Sequence, residues 1–182
     1  VSDVETLQSA ACPSFHIACG LSKGGKPDEI VRRITELGAR VFYPLRTSRT
    51  VRTGGNSPAK QDRWTRVAGE AARQCQGIPL RVEPMCSLDE LLERGGFDQI
   101  LVAWVGEGSQ SLTDLLHAQE VARQKILLLF GPEGGWSEEE VERIAKAGGV
   151  CFSLGPRILR AETAPVAALA IAQSVAGDLV IS

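Results

Sequence analysis

An apolar run that stops in a glycine-rich turn and restarts as a helix constrains this chain more than any other feature. LLLFGPEGGWSEEEVERI runs from Leu127 to Ile144. Leu127, Leu128, Leu129 and Phe130 are too short a run for a helix and read as a buried strand. Gly131, Gly134 and Gly135 open backbone angles closed to other residues and let a ligand approach the main chain. Ser137 followed by Glu140 is a capping box, with Trp136 and Val141 as its hydrophobic staple. A loop fixed at both ends, at the carboxyl edge of a parallel sheet, is where α/β proteins bind ligands. Taken alone, these residues leave two readings equally open: a ligand site, or a tight strand–helix turn that holds nothing.

The rest of the chain alternates in the same way. Ser14–Cys19 reads as a strand. A helix follows, with Pro27 in its first turn, Ile30, Val31, Ile34 and Leu37 on one face, and Gly38 as its stop. Further strands are expected at Val41–Pro44, Leu80–Glu83, Ile100–Val105, Ile126–Phe130 and Val150–Leu154. A basic helix from Ala59 to about Cys75 buries Trp64, Val67, Ala68, Ala71 and Ala72. Shorter helices fall at Leu88–Arg94, Leu112–Ala118 and Glu138–Ala147. This alternation predicts an α/β fold, a mostly parallel sheet flanked by helices on both faces. The 182 residues suffice for one full core. No apolar run reaches the roughly 20 residues of a membrane span. The first residues lack the basic and apolar regions of a signal peptide. Five cysteines form an odd set without a C-x-x-C pair, which argues against a disulfide framework and a metal site. Reduced thiols in a cytoplasmic compartment are expected.

A second glycine turn, LGPRILRAETA, spans Leu154 to Ala164. It carries the apolar pair Ile158–Leu159 between Arg157 and Arg160, then Glu162 and Thr163. Apolar residues with free backbone groups suit a flat heteroaromatic ligand such as adenine, and the charges suit a polar reacting partner. The plainer alternative for Arg160 and Glu162 is a surface ion pair. The last helix, from about Ala164 to Val175, has hardly any polar face. A helix apolar all round is buried on all sides, which in a small domain points to a second subunit and hence a homodimer through this helix. The alternative is a central helix covered by N-terminal segments.

The net charge of −2 conceals an asymmetry: residues 23–81 hold 13 Lys/Arg against 5 Asp/Glu. Arg46, Arg49 and Arg52 are spaced by three, and Lys60, Arg63 and Arg66 follow. A local basic excess suits a polyanion such as a nucleic acid; the alternative is a solvated helix and loop. GLSKGGK (Gly20–Lys26) has the spacing of a phosphate loop, but Pro27 stands where the magnesium-binding hydroxyl belongs. GEG (Gly106–Gly108) lacks the third glycine of a dinucleotide fingerprint. His16 and His117 have no partner motif and read as structural.

GPEGGWS (Gly131–Ser137) and LGPRILRAETA (Leu154–Ala164) together resemble the two signature motifs of the ribosomal RNA small-subunit methyltransferase E family. That family belongs to the SPOUT class, the α/β-knot methyltransferases. The resemblance extends upstream through KGGKPDEIVRRITELGARVFYPLRTSRTV (Lys23–Val51) and through Arg63, Trp64, Glu70, Ala71, Ala72 and Gln74. It implies a C-terminal trefoil knot, S-adenosylmethionine as cofactor, a homodimer, and methylation of N3 of a uridine in 16S rRNA of the small ribosomal subunit. Carried over residue by residue, the cofactor set is Leu129, Phe130, Gly131, Pro132, Gly134 and Gly135 from the first motif. The second motif supplies Leu154, Gly155, Ile158, Leu159, Thr163 and Ala164. Arg160 is expected to stabilise the developing uridine anion, with Glu133 or Glu162 as base unless both only orient the loops. Arg46, Arg49, Arg52, Arg63 and Arg66 are expected to hold phosphates. Two departures stand out. The family usually starts with a PUA-like RNA-binding domain, whereas residues 1–13 here read as a linker or tail before a methyltransferase domain at 14–182. Ser48–Arg49 replaces a more usual Glu-Arg. The alternatives are another SPOUT enzyme acting on tRNA or a ribose 2′-hydroxyl, and a non-catalytic RNA-binding or ribosome-assembly module.

Overall fold

The computed structural model describes residues 12–21, 26–49, 58–106, 108–117, 121–176 and 179. Its strands are β1 (Ser14–Gly20), β2 (Val41–Arg46), β3 (Arg81–Val82), β4 (Cys86–Ser87), β5 (Gln99–Ala103), β6 (Gln110–Ser111), β7 (Lys125–Phe130) and β8 (Val150–Ser153). Its helices are α1 (Pro27–Glu36), α2 (Pro58–Cys75), α3 (Leu88–Arg94), α4 (Leu112–His117), α5 (Glu138–Lys146) and α6 (Ala164–Ala176). The strands lie in the order β3-β2-β1-β7-β5-β8-β6, with β4 beside β2, and every pairing is parallel. The α/β fold with a parallel sheet flanked by helices is therefore as expected.

The central strand β7 shows why. Ile126, Leu128 and Phe130 enter one core, while Leu127 and Leu129 enter the other. A strand buried on both faces has to be apolar throughout, as this one is. The first core lies under α1, α2, α4 and α6; the second lies under α3 and α5. In α1, Pro27 stands in the first turn, Ile30, Val31 and Ile34 are buried, and Gly38 at φ +79° follows the C-terminus. The α5 capping box forms as the sequence requires, with Ser137 Oγ accepting from Glu140 N–H at 3.2 Å and Glu140 accepting from Ser137 N–H at 2.9 Å. An equivalent box at Ser87 and Glu90 starts α3.

Some boundaries shift. The strand expected at Leu80–Glu83 shrinks to Arg81–Val82, although Glu83 N–H still reaches Phe42 carbonyl at 2.9 Å before Pro84 removes the next donor. The expected Ile100–Val105 strand ends at Ala103, and the residues beyond it turn to face a cleft. β4 and β6 were not anticipated, since two residues give no periodic signal.

The last helix is covered only in part. Ala168, Leu169, Ala172 and Gln173 are buried against the sheet and against α1 and α4, and Gln173 Nε2 donates to Leu37 carbonyl at 2.7 Å. Val166, Ala167, Ala170 and Ile171 remain half-buried. All five cysteines are free thiols; Cys19 and Cys86 are buried, and burial pushes both thiols' pKa up. His16 is a core residue at the β1–β2 contact, within 3.0 Å of Ser14 Oγ and 3.4 Å of Tyr43 Oη. Burial, then the charges of Lys125 and Arg81, lower its pKa to about 4. Among the described residues no helix is long and apolar enough to cross a membrane.

Candidate active site

A parallel sheet puts the carboxyl ends of all its strands on one edge. The loops after β5, β7 and β8, three neighbours in the sheet, enclose a cleft of about 370 Å³ there. That lies within the roughly 300–1,000 Å³ typical of small-ligand sites. Phe130 and Phe152 stand buried at the ends of β7 and β8, edge to face with centroids 6.1 Å apart.

The loop after β7 is closed by a tight turn in which Gly135 N–H donates to Pro132 carbonyl at 2.7 Å, with Gly135 at φ +69°. A Cβ on Gly131 would lie 3.1 Å from Gly135 carbonyl carbon and 3.2 Å from Trp136 N, so the loop folds over a bare backbone. Trp136 is buried beneath it and Ser137 caps the helix that leaves it. A further glycine makes room from the side. A Cβ on Gly20, the last residue of β1, would sit 2.6 Å from Pro132 Cδ and 2.8 Å from Pro132 N. Gly20 opens the phosphate-loop-like stretch of the sequence, and its role here is to admit Pro132.

The loop after β8 begins with Gly155 at φ +100°, and Ser153 Oγ accepts from Gly155 N–H at 3.1 Å. It ends on α6, where the N–H groups of Thr163 and Ala164 both donate to Arg160 carbonyl. The stretch after β5 lacks a complete dinucleotide fingerprint, yet Trp104 and Val105 form the third wall. Trp104 lies across Gly106, where a Cβ would fall 2.1 Å from the indole Nε1. Ser109 Oγ ties the loop by donating to Trp104 carbonyl at 3.0 Å and Gly106 carbonyl at 3.1 Å. Its sequence signal is no more than a glycine turn following a strand of a parallel sheet.

Of the expected cofactor residues, Phe130, Gly131, Pro132, Gly135, Leu154, Gly155, Ile158, Leu159 and Ala164 line the cleft. Leu129 lies buried in β7 behind it, Thr163 is exposed and away from it, and Gly134 forms the outer tip of its loop. Glu133 stands on the cleft wall and also borders a small crevice with Glu162 and Lys26. Arg160 does not line the cleft: its side chain is 82% exposed, 4.0 Å from Glu162, as the surface ion-pair alternative has it. The cleft lining also includes Trp104, Val105 and Glu138, which the sequence did not single out for it, and Arg157, which the second motif offered only as a charge beside its apolar pair. Val105 and Ile158 are both strongly exposed at the cleft, an apolar pair that a flat ligand would cover.

The arginines separate into different settings. Arg49 reaches the cleft itself and donates from Nη1 to Gly134 carbonyl at 2.7 Å. Arg46 lies 3.9 Å from Glu90, and Arg63 pairs with Asp28. Arg66 is exposed on α2 without an ion pair among the described residues, and Arg52 lies outside them. Glu139, exposed in the first turn of α5, has its pKa lowered mainly by a hydrogen bond from the Ser137 hydroxyl.

A three-walled apolar cleft with bare backbone on one side and carboxylate and guanidinium groups at its rim is chemically suited to a flat, nucleoside-like ligand with polar groups at its edge. The sequence matches the RNA methyltransferase domain family over residues 10–173. The ribosomal RNA small subunit methyltransferase E of Bacillus subtilis is 42% identical over 85% of this chain and 63% of its own length. The Synechocystis protein of the same name is 36% identical over 85% of this chain and 51% of its own length. The chain thus spans between about half and two thirds of these relatives. Among solved structures, a ribosomal RNA small subunit methyltransferase E from Neisseria gonorrhoeae, bound to S-adenosyl methionine, superposes with a TM-score of 0.79 at 27% identity, covering 90% of this chain and 66% of that one. The chain belongs to the RNA methyltransferase domain family.

Proposed function

We propose that this chain binds S-adenosylmethionine in the cleft and methylates N3 of a uridine in 16S rRNA, working as a homodimer joined through α6. The observation that carries this reading is the meeting of the two glycine motifs, from strands β7 and β8 on either side of β5, around one apolar cleft. The cleft fits the cofactor: the Gly131–Gly135 turn leaves bare backbone, and Val105, Ile158 and Leu159 offer apolar surface to a purine. When bound, S-adenosylmethionine supplies an electrophilic methyl group on a sulfonium.

The chain's own residues have three tasks. Gly131, Gly135, Leu154 and Leu159 hold the donor in one orientation, which removes most of the entropic barrier to an in-line attack. Glu133, on the cleft wall, accepts the proton from uracil N3 and makes that nitrogen nucleophilic. Arg157, a cation on the cleft, stabilises the negative charge that develops on the base, and Arg49, held on Gly134 carbonyl, meets a phosphate beside it. Arg160, outside the lining and highly exposed, meets the RNA at the rim, and Glu162 holds it there. Arg46, Arg63 and Arg66 add phosphate contacts, and the first two exchange a carboxylate partner for a phosphate.

The half-buried apolar face of α6 (Val166, Ala167, Ala170 and Ile171) supports the dimer, because a second copy would cover it. The same reading takes the chain path from β8 through the second motif to α6 as the trefoil knot of the SPOUT class. The test is tritiated methyl transfer onto under-modified small ribosomal subunits, with the product nucleoside identified by mass spectrometry. The expected product is 3-methyluridine. Labelled tRNA or a 2′-O-methyl product would replace this reading by another knotted methyltransferase. No turnover on intact subunits would replace it by a non-catalytic RNA-binding or assembly module. Light scattering should give twice the chain mass, and a monomer would overturn the dimer.

A further inference from the structure

Glu140 is 2% exposed, yet both of its oxygens are engaged. One oxygen accepts Ser137 N–H at 2.9 Å and closes the cap of α5. The other accepts Ser48 N–H at 2.8 Å, from the start of the basic stretch. A buried carboxylate is tolerable only when hydrogen-bonded in this way, and bonds to an ionised acceptor are the stronger kind. The cap by itself needs only one oxygen; the second goes to a segment distant in sequence. The next residue makes another attachment. Arg49 Nη1 donates to Gly134 carbonyl at 2.7 Å, and its stem lies so close that a Cβ on Gly134 would come within 3.2 Å of Arg49 Cβ. Two successive residues of the basic stretch are thus fastened to the tip and to the exit of the glycine loop that walls the cleft.

We infer that Glu140 and Arg49 are positioning residues that latch the RNA-facing segment to the cofactor loop, so that the two ligands bind with positive cooperativity. The inference rests on the reading of the cleft as an S-adenosylmethionine site and deepens it. A ligand that fixes the Gly131–Gly135 turn fixes Gly134 carbonyl, and through it the guanidinium of Arg49. That guanidinium has five N–H donors, and Gly134 carbonyl needs one. The rest are left to meet a phosphate in an orientation already set, so the RNA has less freedom to remove on binding. Linkage then requires the RNA to tighten the cofactor by the same factor.

The experiment measures affinity for S-adenosylhomocysteine, a non-reactive probe, by calorimetry with and without saturating 16S rRNA transcript. In the wild-type chain the transcript should tighten the probe by about five-fold or more, the lower end of common coupling factors. Glu140→Gln keeps one carbonyl oxygen for the cap and loses the acceptor for Ser48; Arg49→Met keeps the stem over Gly134 and loses the donor. Each should reduce the RNA-dependent tightening to below about two-fold, and Arg49→Lys, which retains a donor, should recover part of it. A purely structural role would weaken the probe equally with and without RNA and leave the ratio at its wild-type value, which would overturn the latch. So would a wild-type ratio of one. Failure of the wild-type chain to bind the probe at all would instead overturn the cofactor reading. Arg49 is exposed, so its variants decide the matter even where Glu140→Gln fails to fold.

Discussion

Gly20→Ala probes the approach of β1 to the glycine loop, a contact between residues more than a hundred positions apart. The added methyl would stand 2.6 Å from Pro132 Cδ, 2.8 Å from Pro132 N and 3.0 Å from Thr47 Cγ2. Carbon atoms ordinarily rest about 3.5–4.0 Å apart, so something must move by about 1 Å. The strand cannot readily give way, because β1 is paired along its length with β2 and β7, and Gly20 itself faces Leu45. Pro132 is buried and its ring is stiff, so the whole Gly131–Gly135 turn is displaced. Overpacking of this kind costs about 1–3 kcal/mol. At about 2–4 °C per kcal/mol for a chain of this size, the melting temperature should fall by roughly 2–12 °C. The functional loss should be larger, since a misplacement of about 1 Å in a site can cost about 100-fold in rate. Thermal denaturation and methyl transfer measured on the same preparation, with S-adenosylhomocysteine calorimetry beside them, separate the two effects. Wild-type affinity, wild-type turnover and a melting temperature within about 1 °C of wild type would refute the close-approach argument.

Gly69→Ala, in the middle of α2, is the opposite case: its Cβ would meet only Arg73 Nη1 at 3.6 Å, so urea unfolding should show a gain of about 0.5–1 kcal/mol. Ser137→Ala removes the acceptor for Glu140 N–H and should lower stability by about 1 kcal/mol in the same assay, with weaker S-adenosylhomocysteine binding because the cofactor loop ends at that cap. His16 is held neutral in the fold, with a pKa of about 4 against 6.5 when free. Its contribution is complete above about pH 6.5 and is lost as pH falls toward 4, because the unfolded chain takes up the proton that the native core refuses. Discounted for screening at its solvent-facing edge, the loss is of order 1–2 kcal/mol, and His16→Gln should flatten urea-derived stability across that window. Arg66→Ala should weaken RNA binding at low salt and reduce the slope of log affinity against log salt by about 0.9 for a phosphate contact, as read by fluorescence anisotropy.

What could be read from the sequence follows the range of each interaction. The β7 strand, the α5 cap and the apolar α6 are encoded within a dozen residues each, and all three form where expected. The cleft was legible too, because both of its main loops are contiguous motifs. The two-residue strands β4 and β6 were not, since their pairing with β2 and β8 is imposed by neighbours far along the chain. The third wall, Trp104 and Val105, was not legible for a related reason. Gly106 carries no complete motif, and its meaning is steric: it leaves room for the Trp104 indole at the end of β5. Arg160 and Glu162 were placed in the site from the motif alone. Within that loop Ile158, Leu159 and Ala161 line the cleft while the side chain of Arg160 projects into solvent, a distinction that loop geometry makes and residue type does not.

The parallel sheet explains why the basic stretch and the two glycine motifs come together at one place although the sequence separates them widely. These strands deliver their carboxyl ends to the same edge, in the order set by the sheet: Thr47–Arg49 after β2, Gly20 at the end of β1, Gly131–Ser137 after β7, Trp104–Gly106 after β5 and Leu154–Thr163 after β8. The basic stretch therefore neighbours the glycine loop across a single strand, and that strand ends in a glycine. Had β1 ended in any residue with a side chain, Pro132 could not have approached, and Gly134 would stand farther from Arg49. The absence of one methyl group at Gly20 thus underlies both the shape of the cleft and its contact with the basic stretch. On this argument Gly20→Ala should reduce the cooperativity between RNA and S-adenosylhomocysteine as well as the affinity for each, whereas a substitution that damages only the cleft should leave their ratio intact.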